Sequence, residues 1–381
     1  MTRPDAAAPS RSILALDGGG VRGVLSLAFL ERIEALLAES AGRPVSLAEA
    51  FDLIGGTSTG AIIGTALALG LPAREIRAIY FSLVPKVFVR SRFRLRLIQT
   101  MFDAQALQTE IGRLVGDRRL ESPDLRTFLA IVMKRLDTGS PWLVTNNPAA
   151  RYWADPVDGA YVGNRHYRLV DLLRASTAAP YYFAPHAVPV AEGMPPGLFV
   201  DGGMTPHNNP VLALLQLATI PAYGFRWPTG VDRLRIVSVG TGLYRMRLSA
   251  ASARRMPAAV LAVEALRSMA ADGSDTATTM MELLGRSDTS WPLNSESGDL
   301  AGFGLTSEPL FSFARYNVRL EREWLQRELD IAITEEELDE IARLDNPGGI
   351  GRLYDIGVAA AEKFVRPEHH ALPMKRAARL T

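Results

Sequence analysis

Candidate strands and helices alternate from Ser12 to about Leu217, which predicts an α/β fold built on a mainly parallel sheet. Two glycine-rich turns support this, Asp17-Gly18-Gly19-Gly20-Val21-Arg22-Gly23 and Gly56-Thr57-Ser58-Thr59-Gly60. Each sits at the end of a short apolar run and at the head of a long, apolar, helix-like one. Taken in order, the β-rich runs predict strands at Ile13–Leu16, Phe51–Ile54, Thr127–Arg135, Pro141–Asn146, Leu198–Val200 and Leu234–Val239. The patterns between them predict helices at Val24–Glu39, Ser58–Leu69, Ala73–Phe81, Ala104–Leu114 and Leu169–Thr177. Asp137-Thr138-Gly139-Ser140 lies between two β-rich runs and reads as a hairpin turn. Past Gly242 the pattern becomes mainly helical. There Thr334-Glu335-Glu336-Glu337 reads as a capping box ahead of Leu338, Ile341, Ala342 and Leu344. Residues 285–304 are polar and rich in glycine and serine, so a long loop is expected. The resulting division is a disordered tail over 1–11, one α/β domain over 12–217, and a final core strand with a mostly helical region over 218–381.

Composition bounds the function classes. The chain has 381 residues, 48% of them hydrophobic, and a formal net charge of +1. Those values fit a globular enzyme and argue against a disordered chain or a nucleic-acid binder. Cysteine is absent, which removes disulfides, thiolate metal sites and a cysteine nucleophile. The first ten residues are polar and Ala/Pro-rich without an apolar core, so no secretory signal is expected. The longest apolar stretch, around 61–73, is too short to span a bilayer. A cytoplasmic protein is the default expectation, with peripheral membrane association left open.

The second turn fits a nucleophile elbow, G-x-S-x-G, in which a tight strand-to-helix turn lifts a serine hydroxyl clear of the sheet. Gly56 and Gly60 are explicable there, because the strained serine backbone and the close strand–helix approach leave no room for a Cβ. The first turn offers a row of backbone N–H groups at a helix start, where an oxyanion can sit. Gly18-Gly19-Gly20-Val21-Arg22-Gly23 also matches a dinucleotide-binding turn. That reading needs an acidic residue ending a second strand about 20 residues further on. The distance falls instead at the end of a helix, at Leu37-Ala38-Glu39-Ser40, so the reading fails there.

A third block, Gly197-Leu198-Phe199-Val200-Asp201-Gly202-Gly203, is a strand ending in a carboxylate and two glycines. With it the chain resembles the patatin-like phospholipases. Asp17–Gly23, Gly56–Gly60, Asp201–Gly203 and the run Ala175-Ser176-Thr177-Ala178-Ala179-Pro180-Tyr181-Tyr182-Phe183 carry the likeness. Asn208-Asn209-Pro210 and Val239-Gly240-Thr241-Gly242 are also similar to the family. The blocks span roughly residues 12–242, in the family's order. The resemblance implies a three-layer α/β/α hydrolase with a mostly helical C-terminal extension. It also implies a lipid acyl hydrolase with a Ser–Asp dyad and no metal or other cofactor. Ser58 would be the nucleophile and Asp201 the base, with the amides of Gly18, Gly19, Gly20 and Thr59 as the oxyanion hole. Arg22, Gly23, Gly202 and Gly203 are further motif positions. A phospholipid or related acyl lipid is the implied substrate.

Several residues carry competing readings. His207, six positions after Asp201, could complete a triad, yet it would have to fold back onto its own carboxylate's turn; a loop-stabilising or solvent-facing histidine is the expectation. His166 and His186 read as surface or packing residues. Arg22 could steer a phosphate or pair with an acid, and pairing is favoured. Arg90, Arg92, Arg94 and Arg96 alternate with Phe93, Leu95 and Leu97, as a solvated basic face or a patch for anionic lipid. Two alternatives to a constitutive lipase stand beside it. One is an effector enzyme gated by a small nucleotide or protein partner bound to residues 243–381. The other is a non-catalytic lipid- or nucleotide-binding module on the same scaffold.

Overall fold

A computed structural model describes residues 10–89, 100–245, 254–294, 296 and 298–370. Arg90, Arg92, Arg94 and Arg96 lie outside the described residues. Among the described residues nine strands form one sheet: β1 (Arg11–Leu16), β2 (Leu53–Thr57), β3 (Phe128–Arg135), β4 (Pro141–Thr145), β5 (His186–Val188), β6 (Gly197–Asp201), β7 (Leu234–Val239), β8 (Arg286–Ser287) and β9 (Ser312–Tyr316). Their order is β5-β6-β3-β2-β1-β7-β9-β8, with β4 also paired to β3. β3, β2, β1, β7, β9 and β8 are parallel, and β4 and β6 pair antiparallel with β3. β1, β2 and β7 are buried almost throughout, as strands covered on both faces must be.

Alternation along the strands sorts the core into two layers. Leu14, Leu16, Val237 and Val239 face one cluster, with α1 (Gly23–Ala41), α3 (Thr59–Ala68), α4 (Ala73–Val87), α5 (Ala104–Val115) and α6 (Leu169–Ser176). The short α2 (Leu47–Ala50) leads into β2 behind a Ser46–Glu49 capping box. Ile13, Ala15, Leu53 and Ile236 face the other cluster, with α7 (Val211–Thr219) and the C-terminal half of α8 (Ala258–Leu284). This is the three-layer α/β/α arrangement that the motifs imply.

The region after Gly242 is mostly helical as predicted, but it also completes the sheet. β9 pairs with β7 from Arg235↔Ser312 to Val239↔Tyr316. Three further helices follow, α9 (Arg322–Leu329), α10 (Glu335–Ala342) and α11 (Ile350–Phe364). α11 lies against α1 at Gly357, where an added Cβ would sit 2.9 Å from Ala28 Cβ. Sequence patterning missed β9 because its fourth residue, Arg315, is charged and yet buried. The predicted capping box is half formed. Thr334 Oγ1 accepts from Glu337 N at 3.2 Å, whereas the Glu337 carboxylate pairs with Arg352 at 2.9 Å. Leu344 lies beyond α10, and its carbonyl accepts from Val21 N at 2.9 Å, bracing the first glycine turn. Among the described residues no helix is long and apolar enough to cross a membrane.

Candidate active site

Register brings the three motifs together. β1 and β2 are parallel neighbours with Leu16 opposite Gly56, so both glycine turns leave the same sheet edge side by side. On β3, Val132 faces Thr57 of β2 and the next residue, Met133, faces Asp201 of β6. β6 therefore continues the edge where β2 stops, and it delivers Asp201 beside Ser58.

Ser58 has φ 54° and ψ −122°, a left-handed conformation that costs a non-glycine residue about 1–3 kcal/mol. The surroundings hold it there. Ser58 N–H donates to Ser176 Oγ at 2.9 Å, and Ser176 Oγ donates to Val132 O at 2.6 Å. A Cβ on Gly60 would fall 2.2 Å from Leu16 O, and one on Gly56 would meet Gly60 backbone at 2.2 Å. The elbow thus packs into β1 as tightly as the chain allows. Gly23 leaves room for the Thr59 side chain, 2.1 Å from where its own Cβ would be.

Ser58 Oγ donates to Asp201 Oδ2 at 2.6 Å, and Asp201 Oδ1 accepts from Gly203 N at 2.7 Å. Gly202 is required because a Cβ would lie 2.5 Å from Val132 O. Asp201 is 5% exposed. Burial pushes its carboxyl up to about 6, while the Ser58 hydroxyl, the Gly203 amide and the Arg174 guanidinium pull it down. A carboxylate that is desolvated but still ionised at neutral pH suits a general base.

The first turn presents its amides to the same place. Gly19, Gly20 and Thr59 N–H make no hydrogen bond among the described residues. Gly18 differs from expectation: its N–H donates to Asn208 O at 3.0 Å, so it is already satisfied and drops out of the donor set. The free amides are aimed by their peptide partners, since C=O and N–H point opposite ways across a trans peptide. Thr241 Oγ1 donates to Gly18 O at 2.8 Å, which orients the Gly19 N–H, and Arg22 N donates to Gly19 O at 3.1 Å, which orients that of Gly20. Thr59 Oγ1, at 3.0 Å, and Tyr80 OH both donate to Gly20 O. Asp17, the first residue of the turn, makes a buried two-pronged pair with Arg315 at 2.9 and 2.6 Å. Burial raises the Asp17 carboxyl and Arg315 opposes the rise.

His207 contributes backbone. Its carbonyl accepts from Thr57 Oγ1 at 2.6 Å and its N–H donates to Thr205 Oγ1 at 3.1 Å. Its ring makes no hydrogen bond to Asp201. His166 pairs with Asp155 at 2.6 Å and His186 with Asp171 at 3.2 Å. Arg22 departs from the favoured pairing: it has no acidic partner among the described residues, its Nε is buried without a hydrogen bond, and it lines the cavity. Burial, with Arg267 nearby, lowers it to about 10. The cavity, about 1030 Å³, takes in Ser58, Asp201, Gly19, Gly20, Arg22 and one side of α8.

A family model described as patatin-like phospholipase matches residues 14–215, more than half of the chain. The chain belongs to the patatin-like phospholipase family. Within that match lie both glycine turns, Ser176, Asp201 and Asn208; Thr241 and Arg315, which brace the first turn, lie beyond it. Among relatives, a cGAMP-activated phospholipase of Vibrio cholerae is 30% identical over 240 residues, covering 60% of this chain and 63% of its own. A cUMP-AMP-activated phospholipase of Escherichia coli is 32% identical over 232 residues, covering 61% and 65%. Patatin-like protein 4 of Arabidopsis thaliana is 27% identical over 252 residues, covering 61% and 59%. The chain thus spans about six tenths of the length of these relatives. Ser176, Asn208 and Thr241 lie inside the motif blocks, but their roles are not legible in the sequence because their partners, Ser58 and Gly18, are distant in the chain. Tyr80 and Arg315 carried no sequence signal at all.

Proposed function

We propose that this patatin-like protein is a lipid acyl hydrolase in which Ser58 is the nucleophile and Asp201 the general base. The observation that carries this is the 2.6 Å Ser58–Asp201 hydrogen bond, made in a cavity into which unsatisfied amides converge. Asp201 takes the Ser58 proton as Oγ attacks the acyl carbonyl carbon. The oxyanion is held by Gly19, Gly20 and Thr59 N–H, at the positive end of α3. As the intermediate collapses, Asp201 returns the proton to the departing alkoxide, and the acyl group remains on Ser58. Water deprotonated by the same carboxylate then releases the fatty acid and restores the hydroxyl. The unpaired Arg22 guanidinium supports a phosphate-bearing substrate. Product analysis on phospholipid and lysophospholipid substrates tests the reading, with Ser58→Ala as the control. Fatty acid release that persists in Ser58→Ala would overturn it.

A second reading concerns control. The two bacterial relatives are named as activated by cGAMP and by cUMP-AMP; that likeness supports gating of this chain by such a nucleotide. Turnover measured with and without each compound tests it, and activity that neither one changes would count against gating.

A further inference from the structure

From the N-terminal half of α8 we infer a surface that inserts into a lipid interface and sets the cavity mouth against it; this rests on the acyl-lipid reading above. The fourteen residues 258–271 carry two charged side chains, Glu264 and Arg267, and these pair with each other at 2.6 Å. Such a stretch on a helix normally lies against a core. Here Val260, Leu261, Leu266 and Met269 are 46%, 44%, 41% and 68% exposed, and Ala262 and Ala265 are exposed between them. A cluster of this kind marks an interaction surface, whereas scattered exposed apolar residues do not.

Three observations select lipid as the occupant. The surface is continuous with the cavity: Leu261, Ala265 and Leu266 line it, as does Tyr181, which is 47% exposed. A folded partner seated on this face would cover the mouth, while a lipid layer would supply acyl chains to it. The charge also fits. The apolar stretch is neutral within itself, and the exposed Arg254 and Arg255 precede it in the chain, basic side chains of the kind that meet anionic headgroups at an interface. Finally, the helix is anchored from its other end. Ser274, Asp275 and Thr278 join it to Asn208, Arg245 and Asn209, and Gly273 sits on Pro206. In the outer half, Arg267 reaches back to Tyr182 OH. The apolar half therefore projects beside the mouth from a fixed base.

The test uses Ala262→Glu/Met269→Glu, two outward positions seven residues apart on one helix face, neither of which lines the cavity. Partition of the full chain onto phosphatidylcholine/phosphatidylglycerol vesicles is measured in the Ser58→Ala background, so that the lipid survives. Hydrolysis of a soluble p-nitrophenyl ester is measured with Ser58 intact. The double variant should lose at least about tenfold in partition, since charges must enter the interface, and stay within about twofold on the soluble ester. Met269→Leu should partition as the parent does, and Met269→Trp should shift its emission to the blue on vesicle addition. Partition should persist in about 1 M salt, because burial of apolar side chains is not screened. Unchanged partition in the double variant, or partition abolished by salt alone, would overturn the inference. So would loss of a dimer in sedimentation with vesicle binding unaltered, which would assign the face to a second copy. If the parent hydrolyses no ester yet partitions in an α8-dependent way, the surface stands and the hydrolase reading falls.

Discussion

Asp201 is asked to be both buried and charged, and the consequences can be measured. Ser58→Ala and Asp201→Asn should each abolish ester hydrolysis, and the double variant should be little worse than either, because the two act as a unit. Losses that multiply would separate their roles. With the carboxyl raised to about 6 by burial, the acid limb of activity should fall near pH 6. That limb sits so close to a histidine's that a pH profile alone does not distinguish the two bases; His207→Ala does, and it should keep turnover within roughly tenfold, where loss of a triad histidine costs on the order of 10⁴-fold or more. A carboxyl with a raised folded pKa contributes stability below its unfolded pKa and loses it as pH climbs through the folded one. For Asp201 the window runs from about pH 4 to about pH 6, and a shift of roughly 2 units corresponds to about 3 kcal/mol. Asp201→Asn should therefore melt higher than the parent at pH 8, with the difference shrinking toward pH 4. A gap that does not change with pH would show that the carboxylate bears no such cost. Excess EDTA should leave hydrolysis unchanged, because proton transfer and oxyanion stabilisation are both assigned to the chain's own groups; loss with EDTA and recovery with calcium would contradict that.

The elements matter because each turn is fixed by backbone contact with its neighbour. Gly60→Ala places a Cβ 2.2 Å from Leu16 O, a clash with backbone that side-chain motion cannot relieve. The variant should lose about 2–3 kcal/mol of stability together with its activity, as read by denaturant unfolding and ester turnover. Thr241→Val is subtler. It keeps the shape but removes the hydroxyl that holds Gly18 O at 2.8 Å, so the Gly19 amide is no longer aimed. Turnover should fall about tenfold or more, with KM little changed and stability lower by only about 1 kcal/mol. A change in KM alone would argue for a substrate contact instead, and Thr241→Ser should restore turnover.

At the scale of the whole molecule, residues far apart in the chain share one function. Arg315 reaches across from β9 to Asp17 in the first glycine turn, 298 residues away, and also donates to Ser238 Oγ at 2.7 Å. Removing one partner of a buried pair strands the other charge, at a cost of about 3–5 kcal/mol. Arg315→Met should therefore destabilise strongly at pH 8. Without its guanidinium, Asp17 is held still higher, so the deficit should diminish in acid, where the stranded carboxyl can protonate. Melting curves at pH 5 and pH 8 check this, and an equal deficit at both would dissociate the effect from Asp17. Asp17→Asn/Arg315→Met should recover part of the stability lost in the single variant.

The sequence by itself determined the α/β class, the elbow at Ser58, the carboxylate at the end of the Asp201 strand and the glycine turn at 18–20, because each is a local pattern with a short-range physical meaning. A strand that must turn tightly into a helix needs glycines nearby, and this can be read within five residues. What lay outside local reach was decided by tertiary contact. The Gly18 amide is taken by Asn208, and Arg22 finds no acid among the described residues. The predicted Thr334 cap gives its glutamate to Arg352. β9 hides a charge that pairs with Asp17, 298 residues away. The pairs that do form link residues from 15 to 298 positions apart, and which polar groups find a partner depends on what the folded chain brings within about 3 Å.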